Sequence, residues 1–503
     1  MNRSKRLKLN TIVSVLCEAV LLVCGFIIPR LIIANYGSQV NGLVQSITQF
    51  LGLIALCELG VGAVVQSALY KPLAEHDNET ISRIMCSAKR FFNKFGIILA
   101  VYVLLLVLLF PLGQLGSFDY LFTAALIGSM SISFSAQYFF GINNRLLLNA
   151  DQKAYIQLFY QILTTVLNTV VCIVLINNGR SIQLVKFSTS CIYLIRPLGL
   201  WIHVKRHYRI DKKIVLTEEP IRQKWNGLTQ HFATVVLNNT DTVVLTLFST
   251  LYSVSVYNVY NLVVNGMKQI VISFTSGFQA FLGNMLAKDE SDTLNRSFGL
   301  IEWGLHTITT LAFCLTGILV VPFVRVYTEG ITDADYIVPL FAILITVAIA
   351  SYCYRLPYSM MVLAAGHFKQ TQWSAVIEMA INIVVSIVLV FFFDLIGVAI
   401  GTFAAMTYRT VYYAFYLRKN ILFRSIKYFF KHIAVDVLTV GLIVAATFWI
   451  KMGEVSYIGW LFLALKVGLI GLGITVIVNL CFNFKQAKFL LSRVKNRFRR
   501  KSN

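Results

Sequence analysis

The chain has 503 residues, of which 57% are hydrophobic and 13% charged, and its formal net charge is +22 at pH 7. This composition excludes a soluble globular protein and a disordered one, and it is typical of a polytopic membrane protein. The nine cysteines follow no disulfide or metal-binding pattern, so we expect no disulfide framework, no metal site and no cofactor.

Long apolar runs follow one another along the whole sequence. Since a membrane-spanning helix needs about 20 apolar residues, the runs predict an all-α polytopic membrane protein with about 14 transmembrane helices. They lie at 10–34, 40–68, 95–112, 120–144, 154–177, 181–203, 228–250, 254–285, 298–325, 336–365, 370–393, 395–417, 433–450 and 457–482. Two runs nearly touch at Asp394, where a short loop keeps them separate and fusion would make them one span.

Basic residues outside the runs are concentrated in alternate connections, and the other connections contain only Arg180, Arg325 and Lys451. By the positive-inside rule, this asymmetry predicts that both termini are cytoplasmic. We therefore expect a multi-pass membrane protein in this orientation, and the resemblance described below implies the bacterial cytoplasmic (inner) membrane. Orientation and contact with anionic membrane lipids account for the positive charge, and no nucleic-acid partner is needed.

The order of the runs predicts two similar halves. We assign an N-lobe of six spans to 1–204, a cytoplasmic linker to 205–227, a C-lobe of six spans to 228–420, and two extra spans with a basic tail to 421–503. Asn168 and Asn382 are separated by nearly the same interval as Arg196 and Arg409, which indicates an internal repeat. In transporters with such repeats, binding sites form where the repeats meet.

Several spans carry a polar stripe. The clearest stripe, in span 8, falls within an arc of about 100° on a helix, and a lysine at mid-membrane depth costs roughly 2.5–3.5 kcal/mol. Helix–helix hydrogen bonding explains any one amide equally well, but stripes on spans 1, 2, 7 and 8 together favour a solvated cavity and hence a transporter. The stripe residues include Asn258, Asn261, Asn265, Lys268, Gln269, Ser276 and Gln279 in span 8, Gln45, Thr48 and Gln49 in span 2, Glu18 in span 1, and Asp241 in span 7.

Charged residues inside the spans give further candidates. Lys268 and Arg355 lie near the middle of their spans, where they could pair with Glu58 or Asp241 or could bind an anionic substrate. A guanidinium suits phosphate oxygens particularly well. We expect the other basic side chains to extend toward an interface; these are Lys186, Lys466, Arg409 and, almost as readily, Arg196.

Acidic residues in the spans are candidates for ion coupling. Glu378 recurs with Asn382 and Ser386 along one face of span 11, which could be a proton or cation site or a packed helix contact. The candidates are Glu18, Glu58, Asp241 and Glu378. The sequence has no phosphate-binding loop, so we expect no ATP hydrolysis.

The arrangement of spans and the segments Ile28-Pro29-Arg30, Tyr36-Gly37, Asn41-Gly42 and Glu58-Leu-Gly-Val-Gly-Ala63 resemble the polysaccharide flippases of the multidrug/oligosaccharidyl-lipid/polysaccharide exporter superfamily. The resemblance implies alternating-access translocation of an undecaprenyl-pyrophosphate-linked oligosaccharide for capsule, exopolysaccharide, O-unit or teichoic-acid assembly. It also implies a cationic cavity, onto which Lys268, Arg355 and Arg30 map. The related lipid II flippases carry several arginines early in span 1, whereas this chain has Glu18 and only Arg30 there, which argues against a peptidoglycan precursor.

Two other functions stay open. One is a cation-coupled multidrug antiporter of the same superfamily, in which Glu18 or Asp241 would bind the ion. The other is a membrane glycosyltransferase or polymerase, although these usually have a large outer loop or a soluble domain and the chain has neither. We expect a monomer that is not an enzyme and that works beside glycosyltransferases and a polysaccharide polymerase, with a lipid-linked sugar as its substrate.

Overall fold

Helices make up every regular element in the part of the chain that the computed structural model describes, which is residues 3–53, 61–114, 117–211, 228–275, 278–288, 290–484 and 486. The chain divides into two compact units, Met1–Val243 and Val244–Asn503. The division falls inside a helix of predicted span 7, later in the chain than the predicted end of the N-lobe at residue 204.

In the described residues of the first unit, ten helices begin. They are α1 (Arg3–Tyr36), α2 (Ser38–Gly52), α3 (Val61–Glu75), α4 (Asn78–Leu109), α5 (Tyr120–Ala136), α6 (Ile142–Ala150), α7 (Ala154–Asn177), α8 (Ile182–Tyr193), α9 (Ile195–His207) and α10 (Leu228–Phe248). A 3-10 turn, Phe110–Gln114, follows α4, and a π-helical turn, Gln137–Gly141, joins α5 to α6. Leu69, Phe92 and Leu147 lie in an apolar core between α3, α4 and α6.

The described part of the second unit contains nine helices. They are α11 (Leu251–Ser273), α12 (Phe278–Ala287), α13 (Ser291–Tyr327), α14 (Pro339–Tyr354), α15 (Leu356–Ala364), α16 (Phe368–Phe393), α17 (Leu395–Asn420), α18 (Lys427–Thr447) and α19 (Tyr457–Phe482). Phe298, Met361 and Tyr413 lie in its apolar core.

The membrane class predicted from the sequence is confirmed. Within the described ranges, nine helical stretches are long and apolar enough to cross a bilayer, and a shorter apolar helix covers Phe232–Phe248. Every predicted run overlaps at least one described helix, although parts of the runs at 40–68 and 254–285 lie outside the described residues. The protein is a multi-pass, all-α membrane protein.

Predicted spans 6 and 10 are each interrupted at one residue whose backbone stays in the right-handed helical region, which the apolar runs did not reveal. Span 6 breaks at Leu194, three residues before Pro197, and span 10 breaks at Arg355, two residues before Pro357. Proline has no N–H to donate, and its ring clashes with the carbonyl of the preceding turn, so a helix bends or stops there.

The junction at Asp394 is a one-residue turn between two helices. Asp394 has a positive φ of 47°, so α16 stops at Phe393 and α17 starts at Leu395, and the two runs are separate spans. The helices then pack very closely: a Cβ on Gly401 would lie 2.8 Å from the Ser386 backbone nitrogen. Glycine at this position is what allows the approach.

Polar side chains stop or start several helices at loops. Asp77 and Asp119 accept hydrogen bonds from backbone N–H groups of the first turns of α4 and α5. Ser181, Thr250 and Ser456 do the same for α8, α11 and α19. Side-chain oxygens at this position satisfy N–H groups that have no partner within the helix, which explains where these helices begin.

The last two helices are attached to the second unit by buried polar contacts. Both α18 and α19 pack on α13. The Trp303 indole donates a hydrogen bond to Asn479 at 2.6 Å, and His306 lies 2.6 Å from Asp436. Inside a bilayer, such contacts hold helices together where lipid gives no hydrophobic driving force.

Candidate substrate-binding site

A cavity of about 390 Å³ lies inside the first unit, a volume typical of a small-ligand site. Helices α1, α2 and α5 to α9 contribute to its wall, together with the π-helical turn. Its polar and charged lining residues are Thr48, Ser133, Gln137, Arg145, Asn168, Lys186, Thr189, Ser190, Tyr193 and Arg196.

Three basic side chains lie in the described lining of the cavity. Arg145, Lys186 and Arg196 all line it, and none of the described lining residues is acidic. Arg145 and Arg196 are close enough to repel each other. Neither Lys186 nor Arg196 forms an ion pair with any residue in the described ranges. Like charges held together away from bulk water are costly, so this arrangement favours an anion that neutralises them.

Local sequence explains why these side chains face one space. Arg196 lies in the first turn of α9, immediately before Pro197 and two residues after the interruption at Leu194. A Cβ on Gly141, at the end of the π-helical turn, would lie 3.3 Å from Pro197, which shows how closely the two irregular segments pack. Single π-helical turns are frequent at functional sites.

The second unit has its own charged cluster, but there the charges are paired. Glu378 accepts hydrogen bonds from Arg355 and from Arg409, each at 2.5 Å, and all three side chains are buried. Arg409 also donates to the Tyr413 hydroxyl at 3.0 Å. The prediction that Arg409 extends to an interface is therefore wrong, because a carboxylate on the neighbouring helix holds it inside.

Lys268 lies beside this cluster, and among the described residues it has no carboxylate partner. Its Nζ lies 4.4 Å from the centre of the Tyr352 ring, and the Arg355 guanidinium lies 4.7 Å from the same ring. Tyr352 thus contacts two cations, an arrangement in which the ring stabilises positive charge. Lys268 remains a candidate for an anionic ligand, whereas the guanidinium of Arg355 is engaged by Glu378.

The amides of the predicted stripe on α11 are partly exposed, and two of them bond to each other. Asn265 donates to Asn261 at 2.5 Å, and Asn258 donates to the Val254 carbonyl at 2.7 Å. Gln269 is exposed. Their predicted contacts with substrate stay a prediction.

In the first unit, the cavity includes Thr48 of the α2 stripe, but neither Gln45 nor Gln49 is among its described lining residues, and both are half-buried. Arg30 is half-buried in α1, which continues through Pro29, and Ile28 of the same helix lines the cavity. A role for these three polar residues in binding substrate stays a prediction.

The candidates for ion coupling lie in different surroundings. Glu18 is exposed on α1, Asp241 is buried on α10, and Glu58 lies outside the described residues. Glu378 is neutralised by two guanidiniums, which argues against its binding a further cation.

Sequence reasoning missed the three cations of the cavity. Arg145 follows an apolar run, so it was assigned to a connection, and Lys186 and Arg196 were expected near an interface. The internal repeat held the useful signal, because Arg196 corresponds to Arg409 and Asn168 to Asn382. Both asparagines are buried, at positions that the repeat makes equivalent.

The repeat also identifies the difference between the two units. The position of Glu378 in α16 corresponds to Thr164 in α7, so the first unit has no carboxylate where the second pairs Arg409. The Thr164 hydroxyl instead donates to the Tyr160 carbonyl of its own helix at 2.8 Å. One turn before Thr164, the Tyr160 ring of α7 lies against Gly199 of α9. Arg196 therefore faces a cavity where Arg409 faces Glu378.

The fold is that of transporters of the superfamily that the sequence resembles. A lipid II flippase, MurJ, in an inward closed conformation matches with a TM-score of 0.72 and 16% identity, covering 95% of this chain and 99% of that one. An inward-facing MATE-family multidrug resistance transporter of the MOP superfamily matches with a TM-score of 0.64 and 14% identity, covering 80% of this chain and 96% of that one.

The Vibrio cholerae MATE transporter VcmN matches with a TM-score of 0.57 and 16% identity over 84% of this chain and 99% of its own. No protein-family model matches the chain, and no curated protein sequence matches it significantly. At these identities the likeness establishes the fold, which agrees with the two six-helix lobes and two extra helices predicted from the sequence.

Proposed function

We propose that the protein is a flippase that moves an undecaprenyl-pyrophosphate-linked oligosaccharide across the bacterial cytoplasmic membrane, with both termini in the cytoplasm. The observation that supports this proposal is the cationic cavity of the first unit. Arg145, Lys186 and Arg196 supply up to three positive charges to one space, and no described lining residue opposes them.

The charge of the cavity separates the two transporter classes that share the fold. A pyrophosphate carries negative charge and several acceptor oxygens, which guanidinium and ammonium groups bind through charge-assisted hydrogen bonds. A cationic drug would be repelled by the same side chains. The lining hydroxyls and amides, such as Thr189, Ser190 and Asn168, suit the hydroxyl groups of a sugar.

A cavity of about 390 Å³ holds a head group and not a long lipid. In this proposal the pyrophosphate and its first sugars enter the cavity, while the polyprenyl tail stays in the bilayer. Alternating access between the two lobes would then carry the head group across. Lys268 and Arg30, and the amides on α2 and α11, would contact the substrate during this movement.

The test compares two polyprenyl lipids that differ only in the pyrophosphate, the group that the cavity should recognise, and adds a cationic dye. The full chain in lipid nanodiscs is mixed with undecaprenyl pyrophosphate, with undecaprenol, or with a cationic dye, and binding is measured by native mass spectrometry. We expect the pyrophosphate lipid to bind and undecaprenol to bind much more weakly. Since one charged hydrogen bond contributes about 1.5–3 kcal/mol, Arg196→Gln should weaken the pyrophosphate complex about 10- to 100-fold.

Lys94→Gln is the matched control, because Lys94 is an exposed cation of the same unit that does not line the cavity. Its binding should equal that of the unchanged protein. In cells, Lys186→Gln combined with Arg196→Gln should stop polymer export while the protein remains in the membrane. Equal binding of both polyprenyl lipids would contradict the proposal.

The alternative is a cation-coupled multidrug antiporter. The similarity of the fold to MATE-family structures supports this function as well as the similarity to MurJ supports a flippase. In that case the dye would bind, and removing the cations of the cavity would strengthen its binding. Glu18→Gln or Asp241→Asn would then abolish dye efflux. Polymer export in a deletion strain would be normal.

A further inference from the structure

A second group of buried titratable side chains connects α13, α15 and α18, apart from both sites described above. Glu302 on α13 accepts a hydrogen bond from the Tyr358 hydroxyl of α15 at 2.5 Å. The same hydroxyl lies 3.4 Å from Nε2 of His306, and Nδ1 of His306 lies 2.6 Å from Asp436 on α18. All four side chains are buried.

With Glu302 and Asp436 both ionised, the contacts require the following positions for the protons. The Tyr358 hydroxyl has one proton, and it is directed to Glu302, the nearer of its two neighbours. The contact between His306 Nδ1 and the Asp436 carboxylate requires a proton on Nδ1, since a carboxylate only accepts. A neutral His306 then presents an unprotonated Nε2 to the Tyr358 oxygen, so two acceptors face each other.

One added proton connects Asp436, His306, Tyr358 and Glu302 into a continuous row of hydrogen bonds, called the row below. With a proton on Nε2, His306 donates to Tyr358 on one side and to Asp436 on the other, and every contact from Asp436 to Glu302 becomes a hydrogen bond. We propose that His306, held between Tyr358 and Asp436, is a reversible proton-binding site of this protein, whichever solute the protein moves.

Charge in the cluster supports a site of this kind. Arg424, which precedes α18, pairs with Glu302, and this leaves Asp436 to balance an imidazolium at His306. Asp436 also accepts a hydrogen bond from Thr310 at 2.7 Å. Among the described residues, His432 also lies beside the row: its Nε2 is 3.7 Å from Glu302, and its ring is 5.2 Å from that of His306. Tyr354 on α14 and Cys314 on α13 are two further titratable groups nearby.

A route for the proton reaches the row at the Glu302 end. A pocket of about 20 Å³ lies beside Glu302 and Arg424, and a single water needs about 10–15 Å³ and polar partners. A proton from such a water passes to Glu302. Tyr358 then gives its hydroxyl proton to Nε2 of His306 and takes the proton from Glu302. The net change is one new N–H bond on His306, and Tyr358 is restored.

The site would act on the helices that it joins. Because α13, α15 and α18 each contribute a member of the row, gaining or losing the proton changes how firmly these helices are held together. A proton gradient could drive movement in the second unit through this contact.

The test follows the ring nitrogens of the full chain, labelled with ¹⁵N-histidine in lipid bilayers, by solid-state NMR. The signal of His306 is identified by its loss in His306→Gln. We expect both ring nitrogens to become protonated as the pH falls within the range from about 8 to 5, where histidine serves as a switch. A ring that stays in one form across this range would overturn the proposal without any variant.

Two variants separate a proton site from simple packing. Asp436→Asn removes the balancing charge, so the imidazolium should form only at a pH lower by about one unit or more. Tyr358→Phe keeps the ring but removes the acceptor, and it should shift the titration in the same direction. Asp292→Asn, an exposed carboxylate on the same helix, should titrate like the unchanged protein. A titration unaffected by both Asp436→Asn and Tyr358→Phe would refute the role of the row.

Discussion

Glu378, Arg355 and Arg409 form a buried group in the second unit, called the triad here, and it gives the sharpest test of what stabilises this fold. In Glu378→Gln, one carboxylate oxygen becomes an amide NH₂ that faces a guanidinium, so a donor replaces an acceptor in one of two contacts at 2.5 Å. The other contact loses its charge. Because Arg355 and Arg409 are then buried without a counter-charge, we expect unfolding to become easier by about 3–5 kcal/mol.

The measurement is the free energy of unfolding of the full chain in bilayer-like micelles, obtained by steric trapping. Glu290→Gln, an exposed carboxylate that makes no side-chain cap on α13, is the control and should change little. Replacing all three members of the triad by leucine or methionine should recover most of the loss, since no buried charge remains. A loss below about 1 kcal/mol in Glu378→Gln would refute the view that the triad is dry and tightly paired.

Three further predictions concern other positions. Thr164→Glu should place a carboxylate near Arg196, as Glu378 is near Arg409, and it should weaken binding of undecaprenyl pyrophosphate in nanodiscs at least about tenfold; unchanged binding would contradict the repeat. Gly401→Ala should cost about 1–3 kcal/mol in unfolding measurements, because its Cβ would lie 2.8 Å from the Ser386 nitrogen; an unchanged stability would contradict the close packing. Asp394→Ala should cost about 1 kcal/mol by the same assay, since it loses the hydrogen bond from Ser253 at 2.7 Å.

The membrane fold could be predicted because its main signal is local. Apolar runs of spanning length mark the helices, and the alternation of basic connections predicts their direction. The short turn at Asp394 was one of two stated possibilities. The breaks before Pro197 and Pro357 carry a local signal as well, but a run of apolar residues hides it when only hydropathy is considered.

The charged sites were harder to predict because their partners are distant in sequence. Arg355 and Arg409 meet Glu378 only through the packing of three helices, and His306 meets Asp436 across 130 positions. A basic residue near the end of an apolar run can reach water, pair with a carboxylate or line a cavity. Sequence position alone does not separate these outcomes, and in the case of Arg409 the expected one was wrong.

The difference between Thr164 and Glu378 bears on how such proteins diversify. After a duplication, both halves have the same arginine on the same helix. A carboxylate acquired in one half then pairs with its arginine and stabilises that half, while the arginine of the other half can still bind a ligand. New specificities in this architecture can therefore arise in the half that lacks the carboxylate, without loss of stability in the half that has it.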